Sequence, residues 1–301
     1  MALSKFLDPK NDIAFKRVFG SENHRDILIH FINDILELKG NEEIESVEFL
    51  SPIQDPEIAY KKQSIIDVLC RDREGVQIIV EMQVAPTKGF EKRAQYYAAK
   101  AYSRQLNQGK EEDGQYQNLK EVIFIAIADC VIFKDKDGYK SDHVILDKNS
   151  YEHDLQDFSF TFIELPKFRK DKISELENIV EKWCYFFKYA SNTSEEDLKT
   201  LIGSDLVINE AYEALNQFNW SEKELIAYEQ ELKRIRDNRA AEDYLIEQGI
   251  EQGIEKGKAE GETNKAIEIA KNLLRQNIDL SIISAMTGLS QEELTALKDE
   301  L

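Results

Sequence analysis

Cysteine is scarce in this 301-residue chain: Cys70, Cys130 and Cys184 are far apart, each inside an apolar run. That argues against a disulfide framework or a thiolate zinc site and predicts three buried free thiols. Histidine is nearly as rare. His24 and His30 are six residues apart and cannot share a helix face, and His143 and His153 fall in a stretch that reads as polar loop, so no imidazole ligand spacing exists. No run approaches the roughly 20 apolar residues that span a bilayer, and the opening MALSKFLDPKND has no apolar leader core. The expectation is a cytoplasmic chain with no membrane contact. A surplus of basic charge is also missing: 39 Lys and Arg stand against 58 Asp and Glu, a net charge of −19. Taken as a whole, such a field repels polyanions.

The distribution of charge reverses that reading for one region. Residues 1–110 hold 16 basic against 17 acidic side chains, leaving 23 against 41 downstream. Within residues 85–110 six basic residues (Lys88, Lys92, Arg93, Lys100, Arg104, Lys110) face one acid, Glu91. A locally basic helix can therefore meet phosphates although the whole chain is acidic.

The hydrophobic pattern predicts an α/β domain with a helical extension. Asn11 or Asp12 can cap a first helix running through Val18, and Ile27, Phe31, Ile35 and Leu38 mark one face of a second. Residues 46–50 read as a strand, followed by a connection holding Pro52 and Pro56. The runs 64–70 and 76–84 read as a hairpin closed by Arg73-Glu74-Gly75. With Gly75 left-handed, Asp72 pairs with Val76 and Asp67 falls opposite Glu81. A helix over 89–107 follows, then buried strands over 121–127 and 159–165, and helical texture from Ile173 onward. Domains are expected at 1–190, with a helical extension over 191–240, a glycine-periodic helix or linker over 241–264 and a helical hairpin over 265–301. Gly249, Gly253, Gly257 and Gly261 recur every four residues, in phase with Ile246, Ile250 and Ile254. Each mid-helix glycine costs about 1 kcal/mol against alanine, so this stretch reads as a marginal helix, either a linker or a close-packing surface for a second copy.

The hairpin carries the candidate chemistry. Cross-strand neighbours have β-carbons about 4.5–5.5 Å apart, so one cation could bridge Asp67 and Glu81, and two unpaired like charges there would be destabilising. Hard ions such as Mg²⁺, or Mn²⁺ as a substitute, take carboxylate and carbonyl oxygens. Gln83, two residues on, returns to the same face and can address a phosphate or an attacking water. Acids on a solvated sheet face are ordinary, but Ile65, Ile66, Val68, Leu69, Ile78, Ile79, Val80 and Met82 make both faces of this hairpin apolar.

Asp67 followed by Glu81-Met-Gln83 resembles the D…(D/E)-x-K signature of the PD-(D/E)XK nuclease superfamily, with glutamine in the lysine position. Asp8-Pro-Lys-Asn-Asp-Ile-Ala-Phe-Lys-Arg-Val-Phe19, Arg93-Ala-Gln-Tyr-Tyr97, Glu164-Leu-Pro-Lys-Phe168, Glu181-Lys-Trp-Cys-Tyr-Phe186 and the glycine-periodic tail resemble its recombination-promoting nuclease (Rpn) and transposase-like family. The resemblance implies an αβββαβ core with a mixed sheet flanked by helices, Mg²⁺-dependent DNA cleavage, and a role in recombination or mobile-element biology. Carried over by position, it makes Asp67 and Glu81 metal ligands and Gln83 the group that orients water or phosphate. Asp12 becomes an auxiliary acid, though helix capping explains it equally. Lys16, Arg93 and Tyr97 become DNA-backbone contacts, against a solvated lysine, a salt bridge to Glu91 or Glu81, and a core tyrosine. A glutamine offers a dipole where lysine offers a charge.

Two rival functions stay open on the sequence: a nuclease fold that binds DNA without cutting, and an assembly module built on the C-terminal helices. The apolar spacing over 280–297 around Gly288 also suits a helix-turn-helix, but residues 277–301 hold five acids and one lysine. Phosphate docking is disfavoured by that charge, so a packing or oligomerisation hairpin is preferred there.

Overall fold

The computed structural model describes residues 5–54, 64–108, 116–203, 205–299 and 301; Pro56 and Lys110 lie outside them. The chain divides into two compact units, Met1–Leu232 and Lys233–Leu301.

The first unit is built on a six-stranded mixed sheet. Its strands are β1 (Val47–Phe49), β4 (Val68–Asp72), β5 (Gln77–Gln83), β6 (Val122–Ala128), β7 (Lys140–Ile145) and β8 (Leu155–Glu164), in the order β1-β4-β5-β6-β8-β7. Two residues each from β2 (Ile53–Gln54) and β3 (Ser64–Ile65) form a separate ladder. β1, β4 and β5 pair antiparallel, β6 runs parallel to both β5 and β8, and β7 closes the far edge antiparallel. The pattern predicts the α/β class, and the resemblance implies the mixed sheet flanked by helices that is seen here.

Alternation along the strands sorts side chains between two layers. Val68, Cys70, Ile78, Val80, Ile125 and Ile127 pack with the helices α1 (Asp12–Phe19), α2 (Arg25–Leu36), α4 (Ile179–Tyr189) and α6 (Leu206–Leu215). Leu69, Ile79, Phe124 and Phe162 face α3 (Phe90–Arg104), whose Ala94, Ala98 and Ala101 are small enough to bring the helix close to the sheet. Every residue of β5 is buried, including Glu81 and Gln83 on the α3 side.

The stretches that carry the resemblance have structural causes. Phe19, Phe31, Trp183, Phe186 and Phe187 form one aromatic cluster joining α1, α2 and α4, and Trp183 donates its indole N–H to Asp34 Oδ2 at 2.7 Å. Glu164 Oε1 accepts from the N–H groups of Ile132 (2.6 Å) and Phe133 (3.1 Å), and Lys167 Nζ lies 2.7 Å from its other oxygen. Cys70, Cys130 and Cys184 are free and buried.

Several elements differ from the sequence reading. The strand read over 64–70 is interrupted at Ile66 and Asp67, which lie between β3 and β4. β7 has no counterpart in that reading, and it places His143 in a strand, against Phe133 with ring centroids 5.0 Å apart, rather than in a loop. An exposed edge strand with Lys140, Ser141, Asp142 and His143 in succession carries little apolar signal. α5 (Glu195–Ile202) completes the helices before α7 (Glu222–Arg275), a continuous helix through all four periodic glycines. Nothing lies within 4 Å of where a Cβ would sit on any of them, and every residue of 236–265 is exposed.

In the second unit the end of α7 packs with α8 (Leu280–Thr287) and α9 (Gln291–Asp299) around Ala270, Leu274, Ile283, Leu289 and Leu294. Gly288, at φ +76°, ends α8, and Ser290 and Glu293 form a reciprocal capping box on α9. Among the described residues no helix is long and apolar enough to cross a membrane.

Candidate active site

The hairpin register follows from its turn. Gly75 sits at φ +89°, the left-handed conformation glycine tolerates without cost, and the Asp72 N–H donates to Val76 O at 3.0 Å. The ladder then runs Arg71↔Gln77, Cys70↔Ile78, Leu69↔Ile79, Val68↔Val80; continued by one step, it sets Asp67 opposite Glu81. Two cross-strand bonds lock the pair: the Asp67 N–H donates to Glu81 Oε2 at 3.1 Å, and the Met82 N–H donates to Asp67 Oδ2 at 2.9 Å.

α1 brings two more charges. Asn11 is its cap, with Oδ1 accepting from the N–H groups of Ile13 (2.9 Å) and Ala14 (3.4 Å). Capping therefore does not occupy Asp12, whose carboxylate holds Lys16 Nζ at 2.6 Å, and the same ammonium lies 3.7 Å from Asp67 Oδ1. From the opposite side α3 supplies Arg93, whose Nη2 donates to Gln83 Oε1 and lies 3.7 Å from Glu81 Oε1. Its guanidinium carbon stands 4.9 Å from the centre of the Phe90 ring and 5.9 Å from that of Tyr97. The seven side chains singled out in the sequence thus form one cluster. It straddles the β4–β5 pair where α1 and α3 meet the sheet.

Its electrostatics are unusual for a protein interior. Burial, then the charge of Asp67, pushes the Glu81 carboxyl up to about 8, and burial pushes Asp67 up to about 6 with Asp12 adding to the rise. Burial alone would lower the Lys16 ammonium; the bond to Asp12 and the charges of Asp67 and Glu81 outweigh it and hold it above the ordinary lysine range. Burial and Glu81 raise the Tyr97 hydroxyl. Two carboxylates are held together against both burial and each other.

The donor set suits a hard divalent cation. Asp67 Oδ1 and Glu81 Oε1 are not taken by the cross-strand N–H bonds, and neither thiol nor imidazole is among the residues that build the cluster. Among the described residues no group of three His, Cys, Asp or Glu forms a ready metal cage. Mg²⁺ keeps several waters and takes one or two protein carboxylates, which this pair can supply.

Two participants were not read from the sequence. Thr87 Oγ1 accepts from Gln83 Nε2 at 3.0 Å, and the Phe90 ring lies against the Arg93 guanidinium. Thr87 falls in the connection between β5 and α3, where no periodicity marks a functional position.

An Asp just before β4 and a Glu-x-Gln on its antiparallel neighbour β5, with a helix before and a helix after on opposite faces of a mixed sheet, define a PD-(D/E)XK nuclease fold. The chain belongs to the PD-(D/E)XK nuclease family transposase group, which matches residues 9–244. Residues 263–299 match the C-terminal HTH domain of the Rpn/YhgA-like nuclease family. No curated protein and no solved structure matches the chain. The second match corrects the preference for a simple packing hairpin over 280–297: charge bears on what such a unit docks against, whereas the apolar spacing around Gly288 decides how its helices pack.

Proposed function

We propose that this protein is a Mg²⁺-dependent DNA endonuclease acting in recombination or mobile-element biology, with Mn²⁺ as a substitute ion. The observation that carries this reading is the buried Asp67–Glu81 pair, two raised carboxyls facing each other with cations on both flanks. Asp67 and Glu81 would hold the ion. When bound, it activates a water and offsets the charge that builds on the phosphate. The chain's own groups do the rest. Asp12 holds Lys16 beside Asp67, Gln83 acts on the group that meets the scissile phosphate, and Tyr97 backs the guanidinium of Arg93.

Lys88, Lys92, Lys100 and Arg104 extend the positive charge along and ahead of α3 and suit a DNA backbone. Residues 1–190 are read as the catalytic domain, 191–240 as its helical extension, 241–264 as the glycine-periodic helix and 265–301 as the C-terminal unit. The HTH unit is a second DNA contact. Ile246, Ile250 and Ile254, 55–59% exposed in register with the glycines, are read as the meeting surface of two copies; sedimentation that finds only monomers would remove this part. The chain is assigned to the cytoplasm.

Cleavage of supercoiled plasmid by the purified protein tests the reading. Nicking or linearisation is expected with Mg²⁺ and none with EDTA. Asp67→Ala and Glu81→Ala, checked for folding by circular dichroism, should each lower the rate by about 10³-fold or more, given that metal and positioned charge supply most of the acceleration. No cleavage by the wild type with any divalent ion would leave a nuclease-fold protein that binds DNA or assembles without cutting.

A further inference from the structure

The third motif position of this chain is a glutamine, and both ends of its amide are engaged. Gln83 Oε1 accepts from Arg93 Nη2, while Nε2 donates to Ala85 O and, at 3.0 Å, to Thr87 Oγ1. Thr87 in turn donates to Ala85 O at 3.4 Å. These bonds fix which end of the amide is oxygen, since only the oxygen can face a guanidinium and only the nitrogen can face two acceptors. Gln83 is 7% exposed, so water and phosphate reach it poorly.

Arg93 is the opposite case. Among the described residues both of its contacts with protein oxygens run through Nη2. Its Nε is buried with no hydrogen-bond partner. The side chain is one third exposed and braced by the rings of Phe90 and Tyr97. At 3.7 Å the Glu81 contact is too long for a tight ion pair. A guanidinium so held presents spare N–H donors beside the acid pair, and a planar fork matches two phosphate oxygens.

We infer that Arg93 is the cation this chain brings to the scissile phosphate in place of a motif lysine, and that Gln83 is the positioning residue that aims it. A lysine at position 83 would set an ammonium against the guanidinium in place of the amide oxygen that now accepts from it. The neutral amide turns that repulsion into a hydrogen bond. This inference rests on the nuclease reading above and assigns the charge that reading leaves open.

Two measurements test it. In plasmid cleavage, Gln83→Lys restores the letter of the Glu-x-Lys motif yet should cost about 10–100-fold in kcat, and Arg93→Gln a similar amount. The exchange Gln83→Lys with Arg93→Gln should recover most of the loss, and Gln83→Ala should cost little more once Arg93→Ala is present. Gln83→Lys as active as wild type, or fully additive losses for Gln83→Ala and Arg93→Ala, would overturn it.

The second measurement does not depend on cutting. Binding of a fluorescein-labelled DNA duplex in EDTA, followed over a range of salt, should show the slope of log affinity on log salt reduced by about one phosphate contact in Arg93→Gln. Gln83→Ala, which removes no charge, should reduce it too. An unchanged slope in Arg93→Gln denies the phosphate contact; a slope reduced there but unchanged in Gln83→Ala denies that Gln83 aims it. If the wild type cuts nothing, the nuclease reading fails while these slopes still judge the pairing.

Discussion

Two buried glutamates of the same sheet are treated differently. Glu164, at the end of β8, is 1% exposed and fully compensated: two backbone N–H groups donate to one oxygen and Lys167 reaches the other at 2.7 Å. Glu81, two strands away on β5, is 6% exposed, receives one backbone N–H, has its nearest cation among the described residues at 3.7 Å, and faces a second carboxylate. The first closes a loop onto the sheet. The second is a deficit of positive charge built into a rigid strand. A buried acid with both oxygens bonded and a counter-charge at contact is compatible with a stable fold, whereas an acid pair left short of cations is poised to take one.

Amide substitution at the two glutamates sharpens the contrast most. Glu164→Gln leaves the Lys167 ammonium its bond to Phe133 O but removes its counter-charge, and should destabilise the protein by about 3 kcal/mol, read from urea unfolding. Glu81→Gln should leave the metal-free protein as stable as wild type or more so. Equal losses at both sites would erase the distinction.

The pH dependence comes next. Glu81 and Asp67 are raised in the folded protein to about 8 and about 6, from ordinary values of 4.5 and 3.8. A raised carboxyl contributes its stability in full below the unfolded value and loses it as pH climbs through the folded one. The metal-free protein should therefore lose stability between about pH 4 and pH 8 as the pair ionises. Glu81→Gln should flatten that fall and raise Tm at pH 8.5 by roughly 2–8 °C in thermal scans with EDTA. A wild-type curve that rises over this window would contradict the pairing. By the same linkage Mg²⁺ must displace protons near neutral pH, so calorimetric titrations in buffers of different ionisation enthalpy should report proton release for wild type and less for Glu81→Gln.

The smallest effect is expected at Lys16. Its side chain is 38% exposed and its ammonium already tied to Asp12, so Lys16→Ala should change stability by less than about 1 kcal/mol. Cleavage should fall by about 10-fold, through the charge lost beside Asp67.

Much of this site was legible in the sequence. Gly75 sets the turn, the turn sets the register, and the register sets Asp67 against Glu81, so three local facts carry the central geometry. The apolar faces of β5 and β6 were equally plain. What escaped was non-local. Asn11 rather than Asp12 caps α1, a choice that only the cap geometry settles. The break at Ile66 and Asp67 hides inside a run, residues 64–70, whose composition reads as one strand. β7 has too little apolar alternation to read as a strand. The partners of Gln83 lie on a loop and on the next helix, where no spacing rule reaches them. Continuity of α7 through its glycines also ran against local propensity, which weighs each residue rather than a helix of 54.

The most direct test of the account places the two glutamates side by side: Mg²⁺-dependent plasmid cleavage by wild type, Glu81→Gln and Glu164→Gln at a temperature where all three remain folded. Cleavage by wild type and Glu164→Gln with none by Glu81→Gln is the predicted outcome. Cleavage by Glu81→Gln at the wild-type rate would show that the under-compensated pair is not where the chemistry takes place.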